Sequence, residues 1–162
     1  MCSDDLDAVL AIELASFPTP WSRSAFLSHL QHPEFAYYIV ALMDEEVVGY
    51  SGLFFGGGYG QITNVAVRTD YRRQGVASRL LLQMLSHAVD IGMTALSLEV
   101  RASNESAQRL YERFGFRSVG VRKNYYVEIG EDAYVMCLFN SSGRETRKKL
   151  ANVAREMEQR HG

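Results

Sequence analysis

The chain has little cysteine, no long apolar stretch and no strong charge of either sign. Only Cys2 and Cys137 occur among its 162 residues, at no metal-ligand spacing, and Cys2 stands at a terminus where a structural bridge would be hard to hold. Two free thiols are expected, which excludes a disulfide framework or a cysteine metal centre. The four histidines show no catalytic or metal spacing either, so no metal is expected. No apolar run approaches the ~20 residues of a membrane span, and the opening MCSDDLD is acidic where a signal peptide is basic and then apolar. A soluble, cytoplasmic protein with no membrane partner is the expectation. Net charge is −2, yet residues 1–139 carry 11 Lys/Arg against 16 Asp/Glu while 140–162 carry 6 against 3. An acidic body of that kind argues against direct nucleic-acid binding.

What is present is the balance of a folded globular chain: 47% hydrophobic, 22% charged and 11% aromatic residues, in a length that suits one domain. Leu6, Val9, Leu10 and Leu14 recur at helical spacing, and Phe17-Pro18-Thr19-Pro20 stops that helix near Ser16. Ser22 can cap a second helix with Phe26, Leu27 and Leu30 on one face. Residues 35–43 and 46–54 read as a β-hairpin turning at Asp44-Glu45, and the glycine cluster 56–60 interrupts the pattern before a third strand from Gln61 to Arg68. A long helix from Gly75, a strand over 94–100, a helix from Asn104 to Phe114 and strands over 117–126 and 133–139 follow. Two strand-helix-strand steps predict parallel pairing in mid-sheet, within a sheet that starts antiparallel. In the basic tail 140–162, Ser142 with Glu145 fits a capping box, and Leu150, Val153, Ala154 and Met157 form an apolar stripe. That stripe suits a helix docked on its own domain or fraying in solvent, or else a dimer or ribosome contact.

The segment Val65-Ala66-Val67-Arg68-Thr69-Asp70-Tyr71-Arg72-Arg73-Gln74-Gly75-Val76-Ala77 runs from an apolar strand through a basic turn into the long helix. A helix N-terminus leaves about four amides unpaired, glycine admits an anion close to the backbone, and the arginines add charge, so the turn suits phosphate oxygens. It lacks the three spaced glycines of a dinucleotide fingerprint and the Gly-Lys-Ser/Thr of a P-loop. An ordinary basic helix cap would look similar.

Arg72-x-x-Gly75-x-Ala77 resembles the acetyl-CoA motif of the GNAT N-acetyltransferases. Leu98-Glu99-Val100-Arg101-Ala102-Ser103-Asn104, Ala107, Leu110-Tyr111-Glu112 and Phe114-Gly115-Phe116 resemble the second half of that fold. FPTPWSRSAF at 17–26, Asn124-Tyr125-Tyr126 and Glu131-Asp132-Ala133 are similar to the RimI group of protein N-terminal acetyltransferases, which acts on the N-terminal alanine of a small-subunit ribosomal protein. The resemblance implies an α/β fold. Its mixed central sheet would be antiparallel in the N-terminal half, with a central parallel strand pair splayed around acetyl-CoA, flanking helices and an extra C-terminal helix. The acetyltransferase domain would span 1–139 and the basic helical tail 140–162. The family's strand before the first helix has only Met1 to Asp4 to occupy here, so it is expected to be short or missing.

By the same resemblance, acetyl-CoA is the co-substrate. Arg72, Arg73, Gln74, Gly75, Val76 and Ala77 would hold its phosphates, the backbone of Val65, Ala66 and Val67 its pantetheine amides, and Asn104 and Tyr111 would also touch it. Glu99 would be the general base and Tyr111 the general acid. Trp21, Tyr125 and Tyr126 would flank a peptide N-terminus, with acidic Glu128, Glu131 and Asp132 nearby favouring basic peptides. Each residue also has a plainer reading: Glu99 as a partner for Arg101 or Arg122, Tyr111 as a core tyrosine beside Ala107 and Leu110, Asn104 as a helix cap. The partner implied is a protein N-terminus, that of a small-subunit ribosomal protein beginning with Ala or Ser. Acetylation of a small amine or a lysine, and a non-catalytic CoA-binding or ribosome-associated module, stay open. So does the oligomeric state, with a monomer favoured.

Overall fold

A computed structural model describes residues 1–159. A 3₁₀ turn at Ser3–Asp5 leads into α1 (Leu6–Ser16), and the proline-bearing loop separates it from α2 (Arg23–Leu30). Ser22 caps α2, its Oγ accepting from the Ala25 amide at 3.2 Å. The buried stripe of α1 is Leu6, Val9, Ile12 and Glu13. Leu14, expected on that face, is 72% exposed, because at 3.6 residues per turn it stands about 100° round the helix from Glu13.

The strands β1 (Ala36–Met43), β2 (Glu46–Gly56) and β3 (Tyr59–Val67) pair antiparallel in succession. The turn between β2 and β3 needs only Gly57 and Gly58, both at positive φ, so β3 starts inside the glycine cluster rather than after it. Next come α3 (Val76–Asp90), β4 (Ala95–Arg101), α4 (Glu105–Arg113), β5 (Arg117–Tyr126) and β6 (Glu131–Phe139). The sheet order is β1-β2-β3-β4-β6-β5, with β3 and β4 parallel. The second strand-helix-strand step gives no parallel neighbours, contrary to expectation. The short connection after β5 folds β6 back beside it, and β6 enters between β4 and β5, antiparallel to both, leaving β5 at the edge.

Alternation along the strands sends residues to two helical layers. Leu96, Leu98 and Val100 of β4 pack with α3 and α4, including Leu81, Met84, Leu85 and Tyr111. On the opposite face Ala36, Tyr38, Tyr50 and Ala66 pack with Leu6, Val9, Ile12 and Phe26 of α1 and α2. The tail forms α5 (Arg144–Gln159), and its Leu150, Val153 and Met157 join the α3–α4 core. It starts one residue later than the expected capping box: the Arg147 amide bonds to the Gly143 carbonyl, which makes Gly143 the cap residue instead of Ser142. Residues 160–162 of the expected tail lie outside the described residues. Among the described residues no helix is long and apolar enough to cross a membrane, and both cysteines are free.

Candidate active site

The site originates where the parallel pair parts. β3 and β4 are bonded only at Tyr59↔Ala95, Gly60↔Leu96 and Gln61↔Ser97. Just beyond, β3 carries one residue more than β2: Gly52 faces Asn64 and Leu53 faces Ile62, which leaves Thr63 as the extra residue. A bulge of this kind bends a strand and ends its pairing. Val65, Ala66 and Val67 stay bonded to β2 on one side, while their other edge faces a cleft of about 690 Å³ instead of β4.

At the end of that cleft the chain turns into α3. Gly75 is the cap residue, in the left-handed region at φ 81°, and Arg73 precedes it at φ 59°. No side chain caps the helix, whose first internal bond runs from the Arg79 amide to the Gly75 carbonyl at 3.0 Å. Val76, Ala77 and Ser78 therefore have amides without intrahelical partners, and all three residues line the cleft with Arg72 and Arg73. Arg72 Nε donates to the Val67 carbonyl (3.2 Å), tying the turn to the end of β3. Gln74 is not brought in: its side-chain amide bonds to the Asp70 carbonyl at 3.1 Å and it is no part of the cleft wall.

Glu99 sits at the fork, on the face opposite the Leu98 and Val100 core contacts. Its side chain is only 13% exposed. One oxygen accepts from Gln61 Nε2 at 2.8 Å and the other lies 3.3 Å from Arg122 Nε. Of the two rim arginines weighed as partners, Arg122 makes this ion pair. Tyr111 reaches the cleft from α4, on the other face, packed edge-on against Phe116. Burial pushes its phenol far above the ordinary tyrosine range, with Tyr126 adding to the effect. Asn104 caps α4, Oδ1 accepting from the Ala107 amide at 3.2 Å, and also lines the cleft.

The expected aromatic walls are only partly assembled. Tyr126 lines the cleft, and burial raises its phenol pKa. Tyr125 stacks edge-on against Tyr126 with the Arg122 guanidinium over its ring, but it is 46% exposed and outside the cleft. Trp21 is likewise outside: it packs on Phe54, Phe26 and His29, and the α1–α2 loop meets the cleft through Ser16 and Phe17. Two of the three acidic residues expected to attract basic peptides are engaged. Glu131 accepts from Ser103 Oγ (2.6 Å), and Asp132 binds Lys123 Nζ (3.0 Å) and the Asn124 amide (2.8 Å). That backbone amide, with Lys123, holds the Asp132 carboxyl below its usual range.

The sequence pattern of the Acetyltransferase (GNAT) family matches residues 6–116. The chain belongs to the GNAT acetyltransferase family. A Bacillus subtilis relative is 39% identical over 133 residues, 82% of this chain and 88% of its own. The N-alpha-acetyltransferase of Saccharolobus solfataricus is 36% identical over 146 residues, 82% and 86% of the two chains. The crystal structure of the ribosomal-protein-S18-alanine N-acetyltransferase from Escherichia coli superposes with a TM-score of 0.79 at 33% identity, covering 90% of this chain and 94% of that one.

GNAT enzymes use acetyl-CoA, and the residues present fit it. An unpaired strand edge at Val65 to Val67 can bond an amide-bearing arm as an added strand would, and the uncapped amides of α3 beside two arginines suit phosphates. Two residues that bond to the surroundings of this cleft carry no motif in the sequence, Gln61 through Glu99 and Glu13 through Asn64. Gln61, the amide donor to Glu99, has no motif around it, and only the register of the parallel pair reveals it. Glu13 is 1% exposed on α1. Its signal was present as a carboxylate four residues after Val9, at the spacing of a buried face.

Proposed function

We propose that this acetyltransferase acts on the N-terminal α-amino group of a protein, that of a small-subunit ribosomal protein beginning with Ala or Ser. The observation that carries the reading is Glu99 at the fork of β3 and β4, with Tyr111 entering the same cleft from the other face. The named activities of relatives with N-terminal substrates support it.

Bound acetyl-CoA supplies a thioester whose carbonyl carbon accepts the amine. The loop from Arg72 to Ala77 holds the phosphates, with Arg72, Arg73, Gly75, Val76 and Ala77 at the cleft and Gln74 stiffening the turn from behind. The Val65–Val67 edge and Asn104 align the arm. Glu99 takes the proton of the attacking amine, directly or through a water. An α-amine suits a carboxylate base because its reference pKa is about 7.7–8.0, against about 10.4 for lysine. Gln61 and Arg122 fix the carboxylate's direction. Tyr111, a phenol protonated at neutral pH, gives its proton to the departing thiolate. Replacing it with Phe should lower the single-turnover rate by roughly 10²-fold or more, and an unchanged rate would remove Tyr111 from the mechanism.

The substrate reading is tested with peptides differing in their first two residues, with acetylation followed by mass spectrometry. Ala- and Ser-initiated peptides should react fastest, because the aromatic residues Phe17 and Tyr126 both line the cleft and restrict the space for a first side chain. With Glu131 and Asp132 bonded internally, preference for basic residues further along and its loss with salt should be modest, resting mainly on Glu128. Equal rates for bulky and small first residues would count against the walls as drawn.

A further inference from the structure

Glu13 is a buried carboxylate that the chemistry above does not use, and its side chain holds the far end of a loop whose near end, at Phe17, borders the cleft and continues from the helix backbone. The loop reads Phe17-Pro18-Thr19-Pro20-Trp21. Its prolines have no amide to give, which leaves the amides of Phe17, Thr19 and Trp21. The Phe17 amide bonds to the Glu13 backbone carbonyl at 3.0 Å, and the Trp21 amide bonds to Glu13 Oε1 at 2.9 Å. The second carboxylate oxygen accepts from the Tyr50 hydroxyl on β2 and, at 3.4 Å, from Asn64 Nδ2 on β3. Asn64 itself bonds to the Tyr50 hydroxyl at 3.3 Å, lines the cleft and directly follows the bulge residue Thr63. Through one side chain the loop is thus pinned to the two strands whose misregister opens the fork.

A carboxylate in this position is costly unless every oxygen is bonded, and an apolar residue would fill the α1 face without that cost. Burial raises the Glu13 pKa against the opposing pull of Trp21 and Asn64. Stability of the α1 face alone does not call for such a group. Accurate placement of Phe17 and its neighbours relative to Glu99 does, since small displacements of a positioning wall are felt in substrate binding.

We infer that Glu13 is a positioning residue for the acetyl acceptor: it fixes the Phe17–Trp21 loop against β2 and β3 and so sets the wall that the substrate's first residue meets. The inference rests on the N-terminal reading of the cleft and adds to it the residue that shapes its acceptor side. The test compares Glu13→Met, which keeps bulk without an acceptor, with Glu13→Gln, which keeps an oxygen for the Trp21 amide. Glu13→Met should raise the peptide KM roughly tenfold with the acetyl-CoA KM unchanged, while Glu13→Gln stays within about threefold of wild type. Trp21 is the chain's only tryptophan, so its emission follows the loop and should shift in Glu13→Met before substrate is added. If Glu13→Met fails to fold, the pair Glu13→Met with Tyr50→Phe removes the hydroxyl together with its acceptor and gives the same readout. An unchanged peptide KM, a parallel rise in both KM values, or equal losses in the Met and Gln variants would overturn the inference. A wild type that acetylates a small amine and no peptide would refute the N-terminal reading instead, and Glu13 would then be tested on the KM of that amine.

Discussion

Glu99→Gln should lower kcat by roughly 10²- to 10⁴-fold at neutral pH while acetyl-CoA binds as before, because the amide keeps the shape of the fork and cannot take a proton. The glutamine can still accept from Gln61, and it loses the charge that pairs with Arg122. Part of the rate should return as pH rises past the α-amine's own pKa, about 7.7–8.0, since more substrate then arrives deprotonated. A variant with the wild-type pH–rate profile would contradict the base assignment. Arg122 would then be the whole reason for a carboxylate at that position.

Gly75→Val should abolish measurable acetyl-CoA binding. At φ 81° a β-branched residue is strained whatever space surrounds it, so the turn must move, and with it the open amides of α3 and the Arg72 contact to Val67. For the wild type, acetyl-CoA at a hundredfold excess over Kd should stabilise the fold by about 2.7 kcal/mol, and this stabilisation should vanish in the variant. Circular dichroism controls for folding and calorimetry reads the binding. Wild-type affinity in Gly75→Val would show that the loop does not carry the phosphates.

Local chemistry made much of this legible in the sequence, and long-range register did not. Ser22, Asn104 and Gly75 declare themselves because capping and left-handed turns depend on one residue's own side chain or its absence. The strand and helix succession is likewise local, apart from small boundary shifts such as β3 starting at Tyr59. What the sequence hides is which edge meets which. The insertion of β6 between β4 and β5, the extra Thr63 against β2 and the Gln61 bond to Glu99 are all decided by partners far along the chain. The same holds for the site. Glu99, Tyr111, Arg72, Arg73, Gly75, Val76 and Ala77, which the motifs single out, line one cleft, and Gln74 does not. Trp21 and Tyr125, expected as walls, lie outside the cleft: Trp21 packs on Phe26, His29 and Phe54, and Tyr125 packs against Tyr126, which does line it. Aromatic character alone does not say which ring faces the cavity and which supports it from behind.

The central claim is that the fork delivers acetyl to a chain end. One peptide tests it most directly: an Ala-initiated sequence with an internal lysine, incubated with acetyl-CoA and mapped by fragmentation mass spectrometry, alongside the same peptide with a blocked N-terminus. Acetyl on the α-amine alone, and none on the blocked peptide, is the predicted result. Acetyl on the internal lysine to the same extent in both peptides would contradict the account.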